Sequence, residues 1–291
     1  MKLNSPVKIE NISQIAIRKL ISELKDDLGS INLKNDLTSK TLLPNSLTGK
    51  ATIKNREKII LCGQSFLKDF LKQRFPMLEF SSKYSDGDEL NENSIILEIK
   101  GNVKFILLIE RTILNFIQHL SSISTYTRKF VKKIQGTKTK LLDTRKTTTG
   151  LRVLEKYATK IGGAQNHRQG LYDQLLIKDN HIKLLGGIDN TLNIIKKKKV
   201  KKYMIECDSF LQVQRCLKFG SSYILLDNMT PNEIKNCINL KKKIKRKVIF
   251  EISGGINHDN INLYSNLGSD FISSSKITNS AKSVDIGLDI I

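Results

Sequence analysis

A chain of 291 residues, 39% of them hydrophobic and 26% charged, has enough material for one large or two modest domains around a substantial core, which excludes a small disulfide-held module. Its 49 Lys and Arg against 28 Asp and Glu leave a net charge of +21, so an acidic partner, substrate or surface must be considered. The longest apolar run, Phe105–Ile109, falls far short of the ~20 residues needed to span a bilayer.

The opening residues Met1–Pro6 lead into no apolar stretch and no small-residue cleavage site, so a cytoplasmic protein is expected. Cys62, Cys207, Cys216 and Cys237 form no C-x-x-C pair and have no histidine at zinc-finger spacing; reduced thiols are expected. Along Ile12–Leu28 the apolar residues recur near helical period, and Lys50–Leu61 and Ile95–Ile109 read as strands on either side of the turn signal Asp86-Gly87-Asp88. Ile113, Phe116, Ile117, Leu120 and Ile123 then mark a long amphipathic helix over Glu110–Ile134, with Arg111 in its first turn.

Beyond residue 139 a unit repeats: a short apolar run ends in a polar residue and a helical segment follows. The run ends are Asp143, Lys178, Glu206, Asp227, Glu251 and Ser273, and from Lys178 onward they lie 28, 21, 24 and 22 residues apart, the length of a compact strand-plus-helix unit. Thr230-Pro231-Asn232-Glu233 combines a capping box with proline at the first helical position, and Gly220 and Gly268 fall where helices should end. Successive buried strands with intervening helices imply a parallel sheet, either closed toward a barrel with its polar tips at one mouth or open and doubly wound. The absence of G-x-G-x-x-G lowers a dinucleotide-binding reading. The lysine runs, Lys196–Lys199 with Lys201 and Lys202, then Lys241–Lys243 and Lys245-Arg246-Lys247, contain no interleaved aromatics for base stacking. They read as solvated loop ends, and no specific nucleic-acid partner is expected.

The strand tips sort into three chemical groups. Arg145, Lys146, His167, Arg168 and Lys178 are basic, and cations from several strand ends converge only on something strongly anionic, because unpaired like charges repel and resist desolvation. The competing reading is a structural network with acids such as Asp143 and Asp179. Glu206 and Asp227 are oxygen donors suited to Mg²⁺, or else balance the cations. Ser253-Gly254-Gly255, placed before a helix expected near Asn257, offers a backbone nest for a phosphate, as does Ser273 to Ser275 after the last strand.

Asp143-Thr-Arg-Lys-Thr-Thr-Thr-Gly-Leu-Arg152, Leu154-Glu-Lys-Tyr-Ala158, Gly162-Gly-Ala-Gln-Asn-His-Arg168 and Leu176-Ile-Lys-Asp-Asn-His181 resemble the quinolinate phosphoribosyltransferases. The likeness continues through Asp36-Leu37-Thr38-Ser39, Glu110-Arg111-Thr112, Leu226-Asp227-Asn228-Met229, Glu251-Ile-Ser-Gly-Gly-Ile256 and Asp285-Ile-Gly-Leu-Asp289, nearly the whole chain. It implies an N-terminal α/β sandwich-like domain over residues 1–117, joined by 279–291, and an open, TIM-like α/β barrel over 118–278. It also implies a pentosyltransferase that moves phosphoribosyl from phosphoribosyl pyrophosphate to quinolinate, releasing pyrophosphate and CO₂ and leaving nicotinate mononucleotide for NAD biosynthesis.

By the same resemblance Arg145, Lys146, His167, Arg168 and Lys178 surround the quinolinate carboxylates, with Arg111 reaching in from the partner of a homodimer. Glu206 and Asp227 hold Mg²⁺ on the donor side, Ser253, Gly254, Gly255, Ser273 and Ser275 receive phosphate, and Lys146 or His167 returns a proton after decarboxylation. Together the two substrates bring on the order of seven negative charges, which a cationic mouth must offset. The chain departs from the family pattern at Thr149, where proline is usual, and at Ser275 and Asn279, where glycine and histidine are usual; an active enzyme with a raised donor KM is expected. Two alternatives are a binding protein on this fold without turnover, and a phosphoribosyltransferase that takes nicotinate and releases no CO₂.

Overall fold

The computed structural model describes residues 9–30 and 35–291. Met1–Pro6, on which the expectation of a cytoplasmic protein rests, lie outside the described residues. The described residues fall into two compact units. One holds the residues up to Arg128 together with Val153–Gly163 and Ala281–Ile291; the other holds Lys129–Arg152 and Ala164–Ser280.

The first unit begins with α1 (Ile9–Leu28), α2 (Leu37–Leu42), β1 (Thr48–Asn55), β2 (Ile59–Ile60), α3 (Gln64–Arg74), β3 (Glu79–Ser81), β4 (Glu89–Leu90), β5 (Ile95–Asn102) and α4 (Val103–Lys133). In the Asp36-Leu37-Thr38-Ser39 motif, the Asp36 carboxylate accepts the Ser39 N–H at 3.0 Å and caps α2. The main sheet runs β12-β1-β5-β3, with β12 (Ile286–Ile290) antiparallel to β1. Ile17, Leu20 and Leu24 recur at helical spacing on α1 and share one core with Phe70 and Leu71 of α3 and with Ile53, Leu97 and Ile99 of the sheet. Each such buried side chain contributes about 1.5–3 kcal/mol.

Two expected strands change. The one read over Lys50–Leu61 breaks after Asn55 into β1 and β2, which belong to different sheets. The strand read over Ile95–Ile109 ends at Asn102, and the helix expected from Glu110 begins at Val103. Gly101, at φ +148, turns the chain, and the Asn102 carboxamide accepts the Lys104 N–H at 3.0 Å as an N-cap. Val103, Ile106, Ile109 and Ile113 then fall at intervals of three to four and are all buried. The apolar run Phe105–Ile109 therefore belongs to the first turns of a helix whose buried stripe outweighs local strand preference.

The second unit carries β6 (Lys140–Leu142), β7 (Leu176–Ile177), β8 (Met204–Cys207), β9 (Tyr223–Asp227), β10 (Ile249–Ser253) and β11 (Phe271–Ser273) in the order β6-β11-β10-β9-β8-β7, every pair parallel. Gln165 adds a parallel bridge to Leu142 beyond β6, and among the described residues no pairing joins it to β7. The barrel is thus open at that seam. α5 (Arg152–Ile161) follows β6 and from Val153 belongs to the first unit; α6 (Asp179–Leu184), α7 (Ile188–Lys197), α8 (Phe210–Phe219), α9 (Pro231–Lys242) and α10 (Ile261–Ser265) lie between the remaining strands, and α11 (Lys276–Asn279) follows β11. The capping box at Thr230 and Glu233 forms with Pro231 opening α9, and Gly220 ends α8 at φ +107. The lysine runs begin in the last turns of α7 and α9 and continue into the loops ahead of β8 and β10; they are largely exposed, but Lys241 is partly buried and ion-paired with Asp270.

Two expectations at the strand ends are corrected. β10 continues past Glu251 to Ser253, so Glu251 is not a tip but an interior strand residue, 1% exposed. The helix expected near Asn257 starts only at Ile261, because the Asn257 side chain accepts the N–H groups of Asp259 and Asn260 and holds a turn there. The four cysteines are free and buried, and among the described residues no helix is long and apolar enough to cross a membrane.

Candidate active site

The C-terminal ends of the parallel strands and the loops after them surround a cavity of about 340 Å³. Its wall includes twelve of the thirteen expected site residues: Arg145, Lys146, His167, Arg168, Lys178, Glu206, Asp227, Ser253, Gly254, Gly255, Ser273 and Ser275. Arg111 is exposed on α4 in the other unit and is not among the lining residues. Ser274, inside the expected Ser273 to Ser275 turn, also lines the cavity, as do Thr144, Leu176, Leu225, Asn228, Glu251, Ile256 and Lys276, which were not singled out as site residues by sequence. Leu176 and Leu225 are apolar strand residues, and nothing in the sequence separates them from the rest of the core.

The basic side is built around Asp143, which is fully buried just after β6. Its Oδ1 accepts the His167 N–H at 2.8 Å and its Oδ2 accepts from the Asn166 side chain at 2.6 Å. Backbone bonds from Asp143 N–H to Gln165 O and from Gln165 N–H to Leu141 O stitch the same segment along the strand edge. This explains why D-T-R-K and N-H-R, more than twenty residues apart, arrive side by side. The Arg168 guanidinium donates to Gln174 O at 3.0 Å, and both burial and the nearby charge of Arg145 pull its pKa below the usual arginine value. The Arg145 Nε is buried without a hydrogen-bond partner among the described residues. Nor, among the described residues, does any of Arg145, Lys146, Arg168 and Lys178 make an ion pair with a carboxylate. Asp173 and Glu206 lie near enough to favour the charged form of Arg168, and Lys178 to favour that of Glu206, but none of the four cations is held at ion-pair distance, an arrangement suited to an anionic ligand.

On the other side, Glu206 near the end of β8 is raised above the usual carboxylate range, first by burial and then by Asp227. Asp227 closes β9; its Oδ1 accepts from Ser253 Oγ at 2.6 Å and its Oδ2 from the Asn228 side chain at 2.7 Å. Two carboxylates close enough to repel are a suitable donor set for a hard divalent cation that keeps water and substrate oxygens as further ligands. Among the described residues no group of three or more His, Cys, Asp and Glu forms a protein-only metal cage.

Beyond Ser253 the backbone turns through Gly254 at φ +88 and Gly255 at φ +64. A Cβ on Gly254 would overlap the Asn228 side chain and N–H, so only glycine fits there. The Ser274 hydroxyl donates to Ile256 O at 2.7 Å, and the Thr278 hydroxyl donates to Lys146 O at 2.8 Å, tying the last loop to the first. Ser275 has φ −78 and ψ −14, an ordinary conformation that does not itself require glycine.

An open parallel barrel with a cationic pocket, paired carboxylates and a glycine turn at its strand ends defines an enzyme that gathers anionic substrates. The family model "Quinolinate phosphoribosyl transferase, C-terminal domain" matches residues 123–289, and its N-terminal counterpart matches 36–121; the chain belongs to the quinolinate phosphoribosyltransferase family. The nicotinate-nucleotide pyrophosphorylase [carboxylating] of Mycobacterium leprae is 32% identical over 258 residues, covering 88% of this chain and 91% of its own. The solved nicotinate-nucleotide pyrophosphorylase of Ehrlichia chaffeensis superposes with a TM-score of 0.87 at 37% identity, covering 99% of this chain and 100% of its own. That of Francisella tularensis gives 0.87 at 37% identity, with 96% and 97% covered. Human nicotinic acid phosphoribosyltransferase shares the fold alone, at a TM-score of 0.63 and 11% identity.

Proposed function

We propose that this chain transfers the phosphoribosyl group of phosphoribosyl pyrophosphate to the ring nitrogen of quinolinate, releasing pyrophosphate and CO₂ and forming nicotinate mononucleotide. The observation that carries this reading is the gathering of Arg145, Lys146, Arg168 and Lys178 at one cavity, with no carboxylate among the described residues ion-paired to them, opposite Glu206 and Asp227. A pyridine with two adjacent carboxylates satisfies such a set, with arginine forks gripping carboxylates two-pronged.

In this reading Arg145, Lys146, His167, Arg168 and Lys178 hold the dicarboxylate, and the turn at Ser253, Gly254 and Gly255, with Ser273 and Ser275, receives phosphate. Glu206 and Asp227 would hold Mg²⁺, which when bound neutralises charge on the leaving pyrophosphate. The same two carboxylates favour the oxocarbenium-like ribose as its bond to pyrophosphate breaks. Once the ring nitrogen is alkylated, it draws electrons from the adjacent carbon and makes loss of CO₂ feasible. The carbanion left behind takes a proton from Lys146, which is exposed at the cavity, whereas both ring nitrogens of His167 face partners. Arg111 would serve the neighbouring site of a homodimer.

Full-length protein incubated with Mg²⁺, the donor and quinolinate labelled in the departing carboxylate tests the proposal. Equimolar CO₂ and pyrophosphate are expected. Neither product would leave a binding protein, and turnover of nicotinate in place of quinolinate would leave the same-fold alternative.

A further inference from the structure

Glu251 is a buried acid that the proposed chemistry does not use. It lies inside β10, 1% exposed, where an ionised carboxylate is costly unless hydrogen bonds satisfy it. Its Oε2 accepts the Tyr223 hydroxyl from β9 at 2.7 Å and lies 3.5 Å from His167 Nε2. Burial pushes the Glu251 carboxyl up, but His167, Tyr223 and Ser273 outweigh it and hold it below its ordinary range, so it is the charged member of the group.

The other ring nitrogen of His167 is also committed. Nδ1 accepts the Arg168 N–H at 2.7 Å, which requires a lone pair there and leaves the ring proton on Nε2, facing Glu251. The imidazole thus stands between Glu251 and the backbone that launches Arg168, while Asp143 anchors the His167 N–H from the opposite side. Tyr223, stacked on Phe271 in the apolar cluster of the sheet, fixes the carboxylate from below.

We propose that Glu251, held by Tyr223, is a positioning residue that fixes His167 as the Nε2–H tautomer and, through the ring, sets Arg168 for the carboxylates of the acid substrate. In this role Glu251 acts through His167 and not on the reacting atoms. The inference rests on the quinolinate reading for its substrate, and on geometry alone for its tautomer.

Two measurements on the full chain test it. In ¹⁵N-histidine-labelled protein, the ring signals lost on His167→Asn should show the neutral Nε2–H pattern, and Glu251→Gln should convert them to a mixture of tautomers. In steady-state assays, Glu251→Gln should raise KM for quinolinate about tenfold, the scale of a lost charge-assisted bond, and leave donor KM within about twofold. Tyr223→Phe should move KM the same way by less, guarding against a Glu251 variant that does not fold. Glu251→Gln added to His167→Asn should cost nothing further, because the two act as one unit. An Nδ1–H tautomer in the unmodified chain, a tautomer unmoved by Glu251→Gln, or both KM values rising together would overturn the proposal. A chain that turns over no quinolinate but shows the Glu251-dependent tautomer would refute the substrate reading and leave the positioning role standing.

Discussion

The Ser253 hydroxyl donates to Asp227 Oδ1 across 2.6 Å, linking two residues that sit opposite each other in register at the ends of β10 and β9. In the proposed reading Asp227 serves the donor, so the bond aims a carboxylate on that side of the cavity alone. Ser253→Ala should therefore raise donor KM about fivefold, the equivalent of a bond worth ~1 kcal/mol, with quinolinate KM unchanged. Steady-state kinetics with each substrate varied in turn checks this, and a rise confined to quinolinate would reverse the assignment of sides.

Gly254 and Gly255 make a matched pair. Both have positive φ, but a Cβ on Gly254 overlaps Asn228, whereas one on Gly255 meets open space. Gly255→Ala carries only the backbone penalty of roughly 1–2 kcal/mol, and Gly254→Ala should lose more stability and nearly all activity. Chemical denaturation of the two variants beside the unmodified chain would show the order.

Ser275 adopts an ordinary backbone conformation, so any penalty it carries comes from side-chain bulk near phosphate rather than from strain. Ser275→Gly should lower donor KM and leave thermal stability within about 0.5 kcal/mol, the usual range for substitutions outside a special backbone site. An unchanged donor KM would show that this position does not limit donor binding.

Glu206 gives a pH dependence with a definite sign. Burial and Asp227 raise its folded pKa above the ordinary 4.5, so the folded state holds the proton more tightly than the unfolded state. Stability from this group is present below that ordinary value and is lost as pH rises through the raised folded value. Ligand-free Glu206→Gln should consequently melt higher than the unmodified chain at neutral pH, with the gap closing toward pH 4.5. Melting curves across that range test it, and a variant less stable at neutral pH would contradict it.

Much of this was legible in the sequence because parallel strands end at the site. An apolar run followed by a polar residue marks each tip, and Asp143, Lys178, Glu206, Asp227 and Ser273 could be found that way. Glu251 was misjudged for a physical reason: a buried acid between apolar neighbours looks like a strand end until Tyr223 and His167 are seen to satisfy it. Tyr223 itself carries no signal, since an aromatic at the start of a strand reads as core. The start of α4 was hidden by the β-branched residues of its buried stripe, and only the Asn102 cap separates strand from helix there. The seam beside β6 depends on backbone bonds between Leu141, Asp143 and Gln165, which no side-chain pattern announces.

The central claim, that cations from separate elements serve one dicarboxylate, is tested most directly by calorimetric titration of quinolinate alone into the full chain. Arg145→Met, Arg168→Met and Lys178→Met should each weaken binding by about tenfold or more, given the 1.5–3 kcal/mol typical of a hydrogen bond to a charged group, while Lys197→Met at the exposed end of α7 should change nothing. Equal affinity in all four variants and the unmodified chain would contradict it.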